Sequence, residues 1–364
     1  MRLGVSLGLW QDRPAEEALL TARAADELGY DELWVGEMAT YDAFALATAI
    51  GLSTGRIGLT VGPLAVAVRD PMMIAMGVAS VAGLVGRPVN VAVGTSSPLV
   101  VEEWHGRSRA RSAAVLRETV RALRPLLDGD KSDFSGECVK SRGYRLRLPA
   151  PRAELTVAAF GASAVRTAAT ADRMVLNLIT PASAARLTAD LRAAVRTAPA
   201  QGQGQDAAFG AVPVREQGAA FGAVPVREQG AAFGAVPVPR VAAWVTAAVD
   251  PGREAVDRIR RAVVGYLAAP GYGEMFTEAG FGDVVAFART RPHPRELLAA
   301  VPDGLLESVA LIGGVDAARE RLRAYADAGV DEVALVPVGT DADPGGVATL
   351  KAFKALETLK APAR

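Results

Sequence analysis

Small residues, not acids and bases, follow most of the predicted strands of this chain. The segment 93-VGTSSPLVVEEWHG-106 places Gly94, Thr95, Ser96 and Ser97 after one such strand. Glycine lets the backbone approach a ligand closely, and the three hydroxyl groups could hydrogen-bond to it. The same serines could instead cap the following helix. Such a site suits a large flat cofactor that carries the chemistry itself, while the protein supplies shape and orientation.

A second candidate is the turn 158-AAFGASAVR-166, where a predicted strand passes into a predicted helix. Its site residues are Ala158, Ala159, Phe160, Gly161, Ala162 and Ser163. The free amides of Gly161, Ala162 and Ser163 would face an anion, with help from the helix dipole and from Arg166. Many strand-to-helix turns look the same, so this pattern alone leaves the anion site open.

The third candidate is the strand end in 57-IGLTVGPLAVAVRDP-71, which contains Gly62, Pro63, Leu64 and Ala65. Proline cannot donate to a strand ladder and is rare in central strands. A cis Gly62–Pro63 bond would make a bulge that could press against a ring system. A trans bond that merely ends the strand is the alternative, and composition alone favours it.

Groups that could move a proton or bind a metal are sparse. Glu37 follows the second predicted strand, and His105 lies in a segment rich in Trp and Glu, where it could be a base or simply part of the packing. One cysteine and two histidines exclude an internal disulfide and make a metal site of Cys or His improbable. Lys plus Arg and Asp plus Glu both number 40, so no net charge points to nucleic acid or an anionic membrane. The amino terminus reads as neither signal peptide nor membrane span, so we expect a cytoplasmic protein.

The elements that position these residues alternate between short apolar runs and helical patterns. Nine runs, among which eight strands are expected, lie at 3–7, 33–37, 57–65, 89–94, 155–159, 173–178, 241–249, 307–314 and 331–337. Most are followed by a helix and are apolar throughout, which predicts an α/β fold of the (β/α)8 TIM barrel type with insertions. An open doubly wound sheet is the alternative, but no G-x-G-x-x-G follows the first strand. In the helix at 71–84, Met72, Met73 and Met76 are interpreted as core.

We expect a single domain over 1–364 with two insertions. One is a hairpin at 133–148. The other is a low-complexity tandem-repeat loop at 199–239, before strand seven, in which AAFGAVPV occurs three times. Its Gly, Pro and Gln content predicts a flexible expanded loop at the bottom face of the barrel, away from the catalytic rim.

The order LWVGE, TVGPLAVAVRDP and VAVGTSSPLVVEEWHG resembles the bacterial luciferase-like family, and the later segments LTVAAFGASAVRTAATADRMVLN and SVALIGGVDAARERLRAYADAGVDEVALVPVG fit it as well. The resemblance is greatest to the branch that uses the deazaflavin coenzyme F420. It implies a cis peptide at Gly62–Pro63 that supports the ring, phosphate binding by amides around 159–163, and a cofactor-lining turn at 94–97. It also implies that Glu37 stands near the ring, and that the chain forms a homodimer through helices near the early strands.

Two departures qualify this resemblance. The sugar-phosphate dehydrogenases of the family have a histidine where this chain has Met38, and a glutamate where it has Ser97. We therefore predict hydride transfer between F420 and a more apolar small-molecule substrate, with Glu37 or a Ser/Thr hydroxyl helping a proton to move. The alternatives are an FMN-dependent monooxygenase and a cofactor-less family member with a binding role.

Overall fold

The computed structural model describes residues 1–8, 13–37, 39–197 and 237–358. Its strands are β1 (Arg2–Leu7), β2 (Glu32–Val35), β3 (Gly58–Ala65), β4 (Val89–Gly94), β5 (Ser132–Ser135), β6 (Lys140–Tyr144), β7 (Leu155–Ala158), β8 (Arg173–Asn177), β9 (Arg240–Val249), β10 (Ala310–Gly313) and β11 (Glu332–Pro337). Eight of them pair in parallel in the closed order β1-β2-β3-β4-β7-β8-β9-β11, and β11 returns to β1. This confirms the predicted (β/α)8 TIM barrel.

Helices surround this barrel. They are α1 (Glu17–Glu27), α2 (Ala43–Ser53), α3 (Pro71–Val85), α4 (Ser112–Asp128), α5 (Ala162–Ala168), α6 (Pro181–Thr197), α7 (Arg253–Val264), α8 (Tyr272–Phe276), α9 (Gly282–Arg289), α10 (Pro294–Ala300), α11 (Asp303–Val309), α12 (Val315–Asp327) and α13 (Val347–Thr358). The predicted hairpin is present, because β5 and β6 pair antiparallel. No helix in the described ranges is both long enough and apolar enough to span a bilayer.

Strand β10 lies beside the ring, not within it. The first half of β9 pairs with β8, and its last four residues pair with β10. Strand β9 continues beyond the end of β8, so the last backbone N–H and C=O groups of β9 have no partner on β8. Strand β10 supplies hydrogen-bond partners for these groups. The strand predicted at 307–314 is shorter in the structure: helix α11 ends at Val309, and β10 starts at Ala310.

The tandem-repeat loop predicted at 199–239 falls almost wholly on 198–236, which lie outside the described residues. Strand β9 begins at Arg240, directly after that loop, as expected for strand seven of the barrel. The loop's predicted placement therefore stays a prediction.

Strand residues alternate between two cores. Leu33 and Val35 belong to the large core between barrel and helices, whereas Trp34 belongs to a small cluster inside the barrel. This follows from the two-residue period of a strand, which sends successive side chains to opposite faces. The inner cluster is completed by Ala92, Val175, Ala242 and Ala334, with Ala158 and Trp244 packed against it.

One core prediction was wrong. Met73 is 48% exposed and Met76 is 40% exposed, so both lie on the outer face of α3. The helix is apolar on all sides, and its own sequence therefore does not show which side is covered by the barrel.

Candidate functional site

The bulge in β3 is the feature that shapes the barrel mouth. Between Val61 and Leu64 the register against β4 gains one residue, and the Gly62–Pro63 peptide bond is cis, as the resemblance implies. Gly62 has φ +114°, and a Cβ there would lie 2.7 Å from the amide nitrogen of Leu64 and even closer to the carbonyl oxygen of Ala92. Only glycine fits this position, which explains why the strand carries a glycine directly before its proline.

Gly94 at the end of β4 lets the three predicted segments at 62–65, 94–97 and 158–163 approach one another. A Cβ on Gly94 would lie 3.0 Å from the Cβ of Ala158 and 3.6 Å from the Cβ of Pro63. Residues from β3, β4 and β7 therefore meet at one place, although they lie up to 95 positions apart in the chain. Pro63 and Ala158 are half-buried there, while most neighbouring strand residues are buried. The three strands thus form a shelf, defined here as Gly62, Pro63, Gly94 and Ala158, from which no large side chain projects.

Two other predicted residues support this shelf from behind. Leu64 and Ala159 are buried in the core between barrel and helices, so any contact of theirs with a ring would have to come through the backbone. Ala65 is also buried, but it pairs with Gly94 on β4, so its methyl group lies on the same face as the shelf.

Some polar groups of the turn after β4 are already hydrogen-bonded within the protein. The amide of Val100 donates to the Ser97 hydroxyl over 3.3 Å, so Ser97 caps the π-helical turn Leu99–Trp104. The guanidinium of Arg109 donates to the carbonyl oxygen of Ser96 over 2.7 Å, and Ser96 has φ +57°. Thr95 is half-buried and Ser96 is exposed, and neither hydroxyl makes a hydrogen bond within the described residues, so this turn leaves both hydroxyl groups for a ligand. His105 is exposed just beyond the turn.

The turn after β7 is open. The N-cap of α5 is Gly161, which has no side chain to cap the first amides of the helix. Gly161 and Ala162 are exposed. Ser163 and Phe160 are half-buried. Helix α5 has only seven residues, so its dipole is short and the backbone amides themselves would have to hold an anion.

Glu37 is occupied by an arginine that the sequence analysis did not select. Both of its carboxylate oxygens accept hydrogen bonds from Arg69, one at 2.8 Å, and the amide of Ala43 donates to it over 3.4 Å. Arg69 also pairs with Asp42, and the hydrogen bonds that it donates to Glu37 raise the pKa of its guanidinium further above the usual range. The neighbouring Met38 lies outside the described residues. The carboxylate that was predicted to help move a proton is therefore already bound to a guanidinium group.

Next to Phe160, which the sequence analysis selected, the mouth carries Trp244, Tyr266 and Tyr272, which it missed. Trp244 and Asn177 face each other in the β8–β9 register and are both half-buried. The rings of Tyr272 and Phe160 are stacked with centroids 4.2 Å apart, and Tyr266 packs against Tyr272 at 4.8 Å. The inward position of Trp244 could have been found from the alternation of its strand, but nothing in the sequence of 266–272 indicates that these tyrosines meet β8.

The bottom of the barrel is closed by buried charges. Arg173 is fully buried and donates to both oxygens of Glu32 over 2.6 and 2.8 Å, and to Glu332 over 3.1 Å. Burial alone would raise the pKa of Glu32, but the hydrogen bonds and charge of Arg173 outweigh it and lower that pKa. Burial, and then the charge of Glu32, raise the pKa of Glu332. Glu332 also accepts the indole N–H of Trp34 over 3.0 Å, so this ion cluster fixes the ring below the mouth.

The family comparison agrees with this architecture. The sequence profile of a family described as luciferase-like monooxygenases matches residues 2–332. A putative coenzyme F420-dependent oxidoreductase from Mycobacterium tuberculosis is 29% identical over 149 residues, which is 41% of this chain and 41% of that protein. The chain thus aligns with less than half of the length of the curated relatives it matches.

Two solved structures share the fold over the whole chain. The coenzyme F420-dependent tetrahydromethanopterin reductase of Methanopyrus kandleri aligns with a TM-score of 0.73 at 15% identity, covering 99% of this chain and 100% of that one. The oxygenating constituent of 3,6-diketocamphane monooxygenase of Pseudomonas putida, solved in complex with FMN, aligns with a TM-score of 0.65 at 15% identity and covers 100% of both chains. At these identities the likeness shows the barrel alone.

Proposed function

This chain belongs to the luciferase-like monooxygenase family, and on that premise we propose that it is an oxidoreductase that transfers a hydride between coenzyme F420 and a small organic substrate. The family contains oxidoreductases and monooxygenases that depend on F420 or on FMN. The preference for F420 is supported by the curated relative from Mycobacterium tuberculosis, which is described as a putative coenzyme F420-dependent oxidoreductase.

The observation that carries the proposal is the shelf. Gly62 and Gly94 have no room for a Cβ without displacing backbone or the neighbouring Ala158. A flat ring can approach a surface of this kind closely, whereas a mouth lined by long side chains would be filled by them. The residues present therefore fit a planar cofactor, which when bound would supply or accept the hydride.

The chain's own residues would orient the partners. The shelf would support the ring, and the amides of Gly161, Ala162 and Ser163 would hold the phosphate, in accord with the resemblance. The Thr95 hydroxyl would hydrogen-bond to the cofactor. Glu37, paired with Arg69, would help a proton to move only if that ion pair opens, so a Ser/Thr hydroxyl is the simpler partner.

Titration of the purified full-length protein with F420 and, separately, with FMN tests this proposal. We expect F420 to bind and FMN to bind at least tenfold more weakly, measured by the change in tryptophan fluorescence. Gly94→Ala places a methyl group against Ala158 and should weaken F420 binding, whereas Gly83→Ala, where nothing lies within 4 Å, should leave it unchanged. Binding of neither cofactor, or equal affinity in the two variants, contradicts the proposal.

FMN is the alternative cofactor, because the Pseudomonas monooxygenase that shares the barrel was solved with it. A flavin ring nitrogen permits oxygen chemistry that the deazaflavin carbon does not. Tight binding of FMN but not F420 would favour an oxygen-dependent monooxygenase. If neither binds, the cofactor-less alternative with a binding role gains support.

A second copy of this chain is the proposed partner, through α2 and α3. These adjacent helices contain no charged residue, and their exposed positions include Leu52, Met73, Met76 and Leu84. An uncharged surface across two helices is unusual on a monomer and typical of a protein interface. This agrees with the homodimer that the resemblance implies.

A further inference from the structure

Three polar side chains meet at the C-terminal end of β8. Asn177 is two residues beyond Val175, which belongs to the cluster inside the barrel, so Asn177 also faces inward. It lies opposite Trp244 on the adjacent strand. Paired strands lie about 4.8 Å apart, so these two side chains are neighbours. Tyr266 arrives from the segment after α7. Its ring packs at 4.8 Å from that of Tyr272, whose hydroxyl donates to the carbonyl oxygen of Asn177 over 3.1 Å, so Tyr266 lies at the same strand end.

Two of these groups have hydrogen-bonding capacity to spare. Among the described residues, the buried indole N–H of Trp244 has no acceptor. A buried donor left unpaired is unfavourable, and a ligand acceptor would remove that cost. Tyr272 donates its hydroxyl to the carbonyl oxygen of Asn177 over 3.1 Å, whereas the Tyr266 hydroxyl, which lies near Asn177 and Tyr272, keeps its proton available for a further acceptor.

The surroundings of these groups are aromatic. Trp34 meets Trp244 edge to face, with ring centroids 5.7 Å apart, and is itself fixed by Glu332. Tyr272 lies between Phe160 and Tyr266 and holds the latter in place. A few directed polar groups in an aromatic setting are typical of a small-molecule site.

We propose that Tyr266, Asn177 and Trp244 form a binding site for the oxygen of a carbonyl or hydroxyl group on an otherwise apolar substrate, with Phe160 and Tyr272 as its apolar wall. The inference rests on the proposed function, since it names the substrate class of the same barrel mouth. Burial raises the pKa of Tyr266, so its hydroxyl keeps its proton at neutral pH and donates to the substrate oxygen. No bond is made or broken at this site by the residues themselves.

Cyclohexanone and methylenecyclohexane are suitable probes, because they share a ring and differ in the acceptor oxygen. The chain has four tryptophans, so the indole ¹H–¹⁵N spectrum is simple, and Trp244→Phe identifies the Trp244 signal. In the full-length protein we expect cyclohexanone to move this signal and to bind five- to thirtyfold more tightly than the hydrocarbon, about one to two neutral hydrogen bonds. Tyr266→Phe keeps the ring packing and should lower cyclohexanone affinity about fivefold without changing that of the hydrocarbon.

Tyr325→Phe is the matched control. It also removes one tyrosine hydroxyl, which donates to the carbonyl oxygen of Ile179 in the outer core, and it should keep the preference for the ketone. Equal affinity for the two probes, an unmoved Trp244 signal, or the same loss in both tyrosine variants overturns the inference. The spectra are recorded with and without the cofactor identified by titration. A failure of the cofactor assignment then shows in the titration, and a failure of this site shows in the probe pair.

Discussion

Replacing Gly62 with alanine should deform the β3 bulge at a measurable cost. The backbone at this glycine has φ +114°, where an L-residue is strained by about 1–3 kcal/mol. The added methyl group would also lie 2.7 Å from the amide nitrogen of Leu64 and against the carbonyl oxygen of Ala92. Because both neighbours are backbone atoms, they can move only if the ladder moves. We therefore expect the free energy of unfolding to fall by about 3 kcal/mol or more, a large part of the ~5–15 kcal/mol typical of a folded domain.

Two matched glycines separate the contributions. Gly83 lies inside α3 with nothing within 4 Å, so Gly83→Ala should stabilise the protein by about 0.5–1 kcal/mol. Gly86 ends the same helix at φ +72° with equally open space, so Gly86→Ala should cost only the backbone term, about 1 kcal/mol. The excess of Gly62→Ala over Gly86→Ala measures the clash in the bulge.

Urea unfolding followed by circular dichroism gives the three free energies, and titration with F420 reports the shelf. If Gly62→Ala costs no more than Gly86→Ala, the bulge relaxes freely and is not a rigid support. If the stability falls as expected but F420 affinity is unchanged, the bulge is rigid without supporting the ring, and the proposed cofactor position is refuted.

Three further changes test other parts of the molecule. Arg69→Met frees the partly buried carboxylate of Glu37 and should lower the unfolding free energy by about 1 kcal/mol; no change would mean that this pair contributes nothing measurable. Since the pKa of Glu332 is raised on folding, the folded state binds its proton more tightly than the unfolded state, and the stability from this group falls as pH rises above about 4. Glu332→Gln removes this dependence, so its stability relative to the wild type should rise as the pH is raised above about 4 in urea unfolding, and a falling difference would refute the assignment. Met76→Glu puts a charge on the uncharged face of α3 and should convert the dimer to a monomer, measured by light scattering at micromolar concentration. A wild-type protein that is itself monomeric at this concentration, or a variant that stays dimeric, would contradict the proposed interface.

Local periodicity and turn chemistry predicted the order of the elements well. Strands 57–65 and 89–94 match β3 and β4 to within a residue, because apolar runs bounded by Gly, Pro and Asp mark strand ends locally. The place of the bulge was also predicted, since Gly62–Pro63 lies within the strand. Its form was not, because composition alone favoured a trans bond, and the resemblance to a family was needed to expect a cis one.

The sequence by itself determined a barrel of alternating strands and helices, with small residues at the strand ends where a flat ring could lie. The tertiary structure alone decided which groups meet: Arg69 with Glu37, Tyr272 with Asn177, and Arg173 with two glutamates from distant strands. A strand's pattern shows which residues face inward, but it does not show their level inside the barrel or the loop that closes over them. These depend on the register around the closed ring of eight strands, which forms from residues far apart in the chain.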